Sequence, residues 1–142
     1  MRFWDSSAVV PLLVEQRQSA RAAQLFRDDP ELVVWWGTRV ECVSALARME
    51  RESAIEGAAL LAALDRLHGF SEIWDEVQPT QRLRGAAERL LRVHDLRAAD
   101  AVQLAAMIEL GDGRPRELGV VCFDPRLNRA ALREGFHVTT DE

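Results

Sequence analysis

The stretch LGVVCFDPRLNRAALREG, Leu118 to Gly135, holds the unit that decides the fold. An apolar run passes through an acid, Asp124, straight into a helical pattern opened by Pro125, a residue suited to the first turn of a helix. A short, unbroken apolar run is the mark of a strand buried on both faces. Strands of that kind alternating with helices imply a parallel sheet with helices packed on it. The same order of parts occurs near the start of the chain. Arg2 to Trp4 reads as a brief strand ending at Asp5, and Ser6 or Ser7 caps a helix through AVVPLLVE, with Pro11 tolerated if it falls in the first turn. ELVVWW is a second buried strand, punctuated by Gly37, and Thr38 caps the helix RVECVSALARMERE.

The remaining segments fill in around these. Ser19 to Asp28 is an amphipathic helix stopped by Pro30, and another helix spans Ala54 to His68 and ends at Gly69. SEIWDEV alternates like a strand, with Ile73, Asp75 and Val77 on one face and Trp74 on the other. Pro79 and Thr80 open an Arg-rich helix that runs to His94; the helix LRAADAVQLAAM follows and stops at GDGRP, and FHVTT is a last strand. Without repeat, linker or low-complexity segment, residues 1–142 read as a single α/β domain. Its expected architecture is a parallel β-sheet of about five strands flanked by helices in three layers, α/β/α.

Composition sets further bounds. The hydrophobic fraction of 48% is that of a globular protein. No run approaches the about 18 consecutive apolar residues of a membrane span. The opening MRFWDSS lacks the apolar region of a secretory signal, so a cytoplasmic location is the default. Cys42 and Cys122 stand far apart in apolar segments and read as small buried hydrophobes, and His68, His94 and His137 have no zinc-like spacing and read as surface or helix-end residues. Net charge is −5, yet all 18 basic residues are Arg and none is Lys, a basic set suited to phosphate. Arg126, Arg129 and Arg133, and likewise Arg82, Arg84, Arg89 and Arg92, recur along helices where they can hold phosphates or stand as solvated faces. Alternation sends Trp35 and Trp36 to opposite faces of their strand, one of them into the core.

The chemistry is expected among the acids. Asp5 and Asp124 each follow a strand directly ahead of a helix, which places them at the carboxyl edge of the sheet where α/β proteins bind ligands; each is also a natural helix cap. Glu41 lies in the first turn of its helix with Ser44 and Arg48 on its face. Asp100 sits among Ala98, Ala99, Ala101, Val102 and Leu104, with Gln103 and Leu104 on its face and Arg97 three residues back as a pairing partner. A carboxylate in such surroundings is costly unless neutralised. Four carboxylates in one crevice repel and raise one another's pKa, and a hard divalent cation with oxygen ligands relieves this. Glu50, Glu52, Glu88, Glu109, Glu117 and Glu134 read as solvated, and Asp28–Asp29 as turn punctuation before Pro30.

With those residues in place the chain resembles the PIN-domain family, in particular the VapC toxins of type II toxin–antitoxin modules, nearly end to end. FWDSSAVV looks like the family's opening strand and acid, RVECVSALAR like its Glu helix, LRAADAVQLAAM like its most recognisable segment, and VCFDPRLNRAALREGF like its closing unit. The resemblance implies a Mg²⁺-dependent endoribonuclease, with Mn²⁺ as a substitute, acting on structured RNA such as tRNA or rRNA and leaving 3′-hydroxyl and 5′-phosphate ends. It assigns Asp5, Glu41, Asp100 and Asp124 to catalysis and metal binding, Ser7 to orienting a carboxylate or water, and Asn128 to supporting the site. It also implies a homodimer and a cognate VapB-type antitoxin.

Rival readings differ in testable ways. A dehalogenase-type phosphatase needs a second Asp where Ser7 stands. A receiver domain and a P-loop NTPase each need a Lys, and the chain has none. The remaining alternative is a catalytically inactive RNA- or protein-binding module whose acids are structural.

Overall fold

Every strand pairing in the sheet is parallel, and the spatial order is β3-β2-β1-β4-β5. The computed structural model describes residues 1–139. In chain order these form β1 (Arg2–Trp4), α1 (Ser6–Leu13), α2 (Ser19–Asp28), β2 (Leu32–Trp35), α3 (Thr38–Arg51), α4 (Gly57–Ile73) and β3 (Asp75–Val77). They continue with α5 (Gln81–Val93), α6 (Ala98–Gly111), a 3₁₀ turn (Pro115–Glu117), β4 (Gly119–Val121), α7 (Pro125–Arg133) and β5 (His137–Thr139). Thr140, the last residue of FHVTT, lies outside the described residues.

The sheet divides two cores, and strand alternation decides which side chain enters which. Phe3, Trp35 and Val120 face the layer of α5, α6 and α7, against Leu90, Leu104, Met107 and Leu127. Trp4, Val34 and Val121 face the layer of α1 to α4, against Val9, Leu13, Cys42, Leu46 and Leu67. The expected three-layer α/β/α sandwich is therefore what the chain forms.

Four local expectations need correction. The stretch 71–74 is not strand: α4 runs through Gly69 to Ile73, whose side chain is exposed, and only Asp75–Val77 pair with β2. The reason is that Phe70, packed edge-on against Phe26 at 5.5 Å, extends the buried helical face of Ala63 and Leu67 beyond Gly69. A single helical Gly costs only about 1 kcal/mol, so the packing prevails. At its other end α4 starts at Gly57 rather than Ala54, because Ser53 turns the chain with a positive φ of 58°.

Pro11 lies inside α1 rather than in its first turn. It supplies no N–H to the preceding turn, and α1 stops two residues later at Leu13. The carbonyls released there are taken up by Ser19, whose hydroxyl donates to Pro11 O at 2.7 Å and lies 3.1 Å from Val14 O. Thr38 is the first residue of α3 and not its cap. Gly37 precedes the helix, where a Cβ would fall 2.4 Å from the Trp35 ring nitrogen.

Among the described residues no helix is long and apolar enough to cross a membrane. Cys42 and Cys122 are buried free thiols, as their setting in the sequence implied. Trp35 is buried and Trp36 half exposed, as alternation required.

Candidate active site

The strand order reverses between β1 and β4, which run side by side and are followed by connections to opposite faces of the sheet. A crevice opens at the carboxyl ends of strands at such a reversal. Asp5 and Asp124 stand at its two walls, one residue after β1 and three residues after β4. The N-terminal ends of α3 and α6 complete it, bringing Glu41 and Asp100. All four acids line a single pocket of about 330 Å³, with Ser6, Ser7, Gln16, Gln18, Arg48 and Phe123 among the other walls. Each acid lies within or just before the first turn of a helix, where the macrodipole favours negative charge.

Their local roles are distinct. Asp5, and not Ser6 or Ser7, which lie within the helix, caps α1, its Oδ2 accepting from Ser7 N at 2.9 Å. Asp124 caps α7, its Oδ1 accepting from Arg126 N at 2.8 Å and Leu127 N at 3.3 Å. Asp100 reaches back to accept from Arg97 N at 3.2 Å. Cap and pocket wall are thus the same residues, since one carboxylate oxygen can serve a helix while the group faces the crevice. Glu41 is no cap. Ser6 Oγ donates to its Oε1 at 3.1 Å and Gln103 Nε2 to its Oε2 at 3.0 Å.

Burial pushes the Asp5 carboxyl above the ordinary range, and the charges of Asp124 and Asp100 add to this against the hydrogen bonds from Ser7. Glu41 is pushed up to about 7, foremost by burial and then by the charge of Asp5, with the bonds from Ser6 and Gln103 opposing. The pocket is short of positive charge at its centre. Burial likewise raises the neighbouring thiols, Cys42 to about 12 and Cys122 well above the usual range. A thiol held protonated is a poor nucleophile.

Ser7, at the pocket wall, and Asn128, outside it, each bond to the β4–α7 corner. Ser7 Oγ accepts from Phe123 N at 2.9 Å, tying the β1–α1 corner to the β4–α7 corner. Asn128 Nδ2 donates to Cys122 O at 2.9 Å and does not line the pocket. Arg97 was expected beside Asp100; its guanidinium also approaches Asp124, with Nε 3.5 Å from Asp100 Oδ2 and Nη2 3.6 Å from Asp124 Oδ2.

Sequence reasoning missed Ser6 and Gln103 as holders of Glu41. The available signal was Gln103 itself, a polar side chain on the buried face of a helix, which also donates to Thr38 Oγ1 at 3.1 Å. Two acids expected in solvent are half-buried: Glu134 Oε1 lies 2.7 Å from His94 Nε2, and Glu109 has a buried Oε2 without a protein partner among the described residues.

Hard divalent cations select carboxylate and other oxygen donors, and the donor set here is of that kind, charged and under-neutralised. Among the described residues no three such groups are drawn together as a ready-made metal site, and two of the four lean on Arg97 instead. The donors fit in kind, with their carboxylates still splayed.

Comparison with known proteins gives a consistent result. A family model described as the PIN domain matches residues 2–132. Two curated relatives from Mycobacterium tuberculosis are named ribonuclease VapC45 (strain CDC 1551 / Oshkosh) and ribonuclease VapC49 (strain H37Rv). Each is 31% identical over 145 residues, which covers 96% of this chain and 92% of the relative. Among solved structures, FitAcB from Neisseria gonorrhoeae superposes with a TM-score of 0.70 at 14% identity, covering 97% of this chain and 96% of its own. M. tuberculosis VapC20, described as a Sarcin-Ricin loop cleaving toxin, gives 0.68 at 22% identity, covering 96% of each chain. At these identities the two structures speak to the fold.

Proposed function

This chain belongs to the PIN-domain family, beside relatives named VapC ribonucleases, and from that premise we propose that it is a divalent-metal-dependent endoribonuclease. In this reading it is the toxin of a VapBC-type pair, Mg²⁺ is its cofactor with Mn²⁺ as a substitute, and its substrate is a structured RNA such as tRNA or rRNA. The observation that carries the reading is the meeting of Asp5, Glu41, Asp100 and Asp124 in one pocket with too little positive charge among them.

The four carboxylates would hold the ion. The chemistry a divalent ion supplies when bound is stabilisation of charge on phosphate oxygens together with a more acidic water. The chain's own residues supply the rest. Ser6 and Gln103 hold the Glu41 carboxylate from both oxygens, so that it meets an incoming group in one orientation. Arg48, exposed at the pocket wall, offers a guanidinium to a neighbouring phosphate.

The proposal includes a VapB-type antitoxin that blocks this pocket, and a homodimer. The exposed apolar side chains Trp36, Val40 and Val43, at the start of α3, support a contact with a second copy. A non-catalytic binding module has in its favour that three aspartates cap or brace helices. It leaves unexplained why Glu41 is half-buried and held by two side chains.

The test is cleavage of total RNA and of a tRNA pool by antitoxin-free protein, with Mg²⁺ and Mn²⁺ titrated against a chelator. Cleavage that requires the ion and leaves 5′-phosphate ends supports the reading. Cleavage that persists in chelator, or no cleavage of any RNA with the ion present, contradicts it.

A further inference from the structure

One guanidinium serves two acids of this pocket, drawn from two helices. Asp124 uses Oδ1 to cap α7, so Oδ2 is the oxygen it turns outward, and Arg97 Nη2 stands 3.6 Å from that oxygen. Asp100 accepts from the Arg97 main chain through Oδ2, and the side-chain Nε lies 3.5 Å from the same oxygen. The Arg97 backbone is fixed as the residue ahead of α6, while its side chain is 69% exposed. Both contacts are longer than a well-made charged hydrogen bond, and the guanidinium that makes them stands largely in solvent, which makes them weak and exchangeable. An arginine does not release them by losing its proton at any ordinary pH. Only another cation at the carboxylates, or another anion at the guanidinium, displaces it.

We propose that Arg97 is an exchangeable counter-ion of this site. It neutralises Asp100 and Asp124 while no metal is bound, and passes to a phosphate of the RNA backbone when a divalent ion takes those carboxylates. The inference rests on the nuclease reading above and deepens it. A guanidinium and a divalent ion claiming the same two carboxylates must oppose each other's binding, and by linkage the effect is mutual. Once displaced, the guanidinium stands beside the crevice with the planar donor fork that matches phosphate. The nearby Arg126 guanidinium pairs with Asp95 instead, just as loosely, with Nη1 3.7 Å from Asp95 Oδ1.

The experiment is calorimetric titration of Mn²⁺ into metal-free full-length protein, comparing wild type with Arg97→Ala, Arg97→Gln and the control Arg126→Ala. Circular dichroism checks each fold, and RNA-cleavage kinetics follow on the same samples. Removing a competing, partly exposed pair of contacts predicts a Kd for Mn²⁺ about fivefold lower in both Arg97 variants, unchanged in Arg126→Ala. The same Arg97 variants should show a raised KM for RNA, because the phosphate partner is gone. A residue of purely structural importance would weaken both steps together. Unchanged or weaker Mn²⁺ binding in the Arg97 variants overturns the counter-ion role, while leaving the nuclease reading intact if wild type binds and cuts. Tighter Mn²⁺ binding with an unaltered KM overturns the transfer to phosphate. Failure of wild type to take up Mn²⁺ at all overturns this inference and the nuclease reading together.

Discussion

Gln103 Nε2 lies 3.0 Å from Glu41 Oε2, joining the first turn of α3 to α6 across the edge of the sheet. The bond lowers the Glu41 pKa against the larger effect of burial. Among the described residues, the Gln103 Oε1 is buried with no protein partner. Gln103→Leu leaves Glu41 Oε2 and Thr38 Oγ1 without this donor, and should cost about 2 kcal/mol of unfolding free energy and raise the Glu41 pKa further above 7. Carbon-detected NMR titration of the metal-free protein reads this directly. A Glu41 pKa unmoved by the substitution would show that the contact does not position the carboxylate.

Asp124 both caps α7 and faces the pocket, and two substitutions separate these duties. Asparagine retains the oxygen that accepts from Arg126 N and Leu127 N but lacks the charge. Asp124→Asn should keep stability within about 0.5 kcal/mol while lowering cleavage by at least about 100-fold, whereas Asp124→Ala should lose the activity and about 1 kcal/mol besides. Urea unfolding beside RNA cleavage distinguishes them. Equal destabilisation by both would mean that the cap depends on charge.

The raised carboxyls of Asp5 and Glu41 make a claim about pH. An acid whose pKa is higher folded than unfolded binds more protons in the folded state between the two values. Stability then falls as pH climbs through that window, here from about 4.3 in the unfolded chain to about 7 for Glu41. Scanning calorimetry in chelator should show the melting temperature dropping from pH 5 to pH 7.5, with a shallower drop in Glu41→Gln. Added Mg²⁺ should raise the melting temperature more at the higher pH, where the carboxylates are charged. A melting temperature that climbs over this range would contradict the electrostatic picture of the pocket.

His94 is buried at the end of α5, its Nε2 2.7 Å from Glu134 Oε1 at the end of α7. His94→Ala leaves that carboxylate without its partner and opens a small void, at a cost of about 2 kcal/mol in urea unfolding. The concentration of Mg²⁺ needed for half-maximal cleavage should not change, since neither residue lines the pocket. A shifted requirement would tie this pair to the site.

What the sequence disclosed, and what it withheld, follows from the range of the interactions. Asp5 and Asp124 were legible because an apolar run, an acid and a helix lie consecutively in the chain, and that local order fixes them at the strand ends. Glu41 and Asp100 were legible as charges in apolar company. Ser6 meeting Glu41, and Arg97 meeting Asp124, were not, because each contact depends on how distant helices seat against one sheet. The alternation in SEIWDEV misled for a related reason. Period two over a few residues also fits the last turn of a helix, and the Phe26–Phe70 contact that decides the matter is tertiary.

The most direct test of the central claim is RNA cleavage by Asp100→Asn beside wild type across an Mg²⁺ titration, with folding confirmed by circular dichroism. Asp100 is buried at the pocket with Arg97 as its counter-charge, and asparagine keeps its shape. The account predicts a folded variant, at least as stable as wild type without metal, whose cleavage is lower by at least about 100-fold and is not restored by added ion. A folded variant that cuts RNA at the wild-type rate would contradict it.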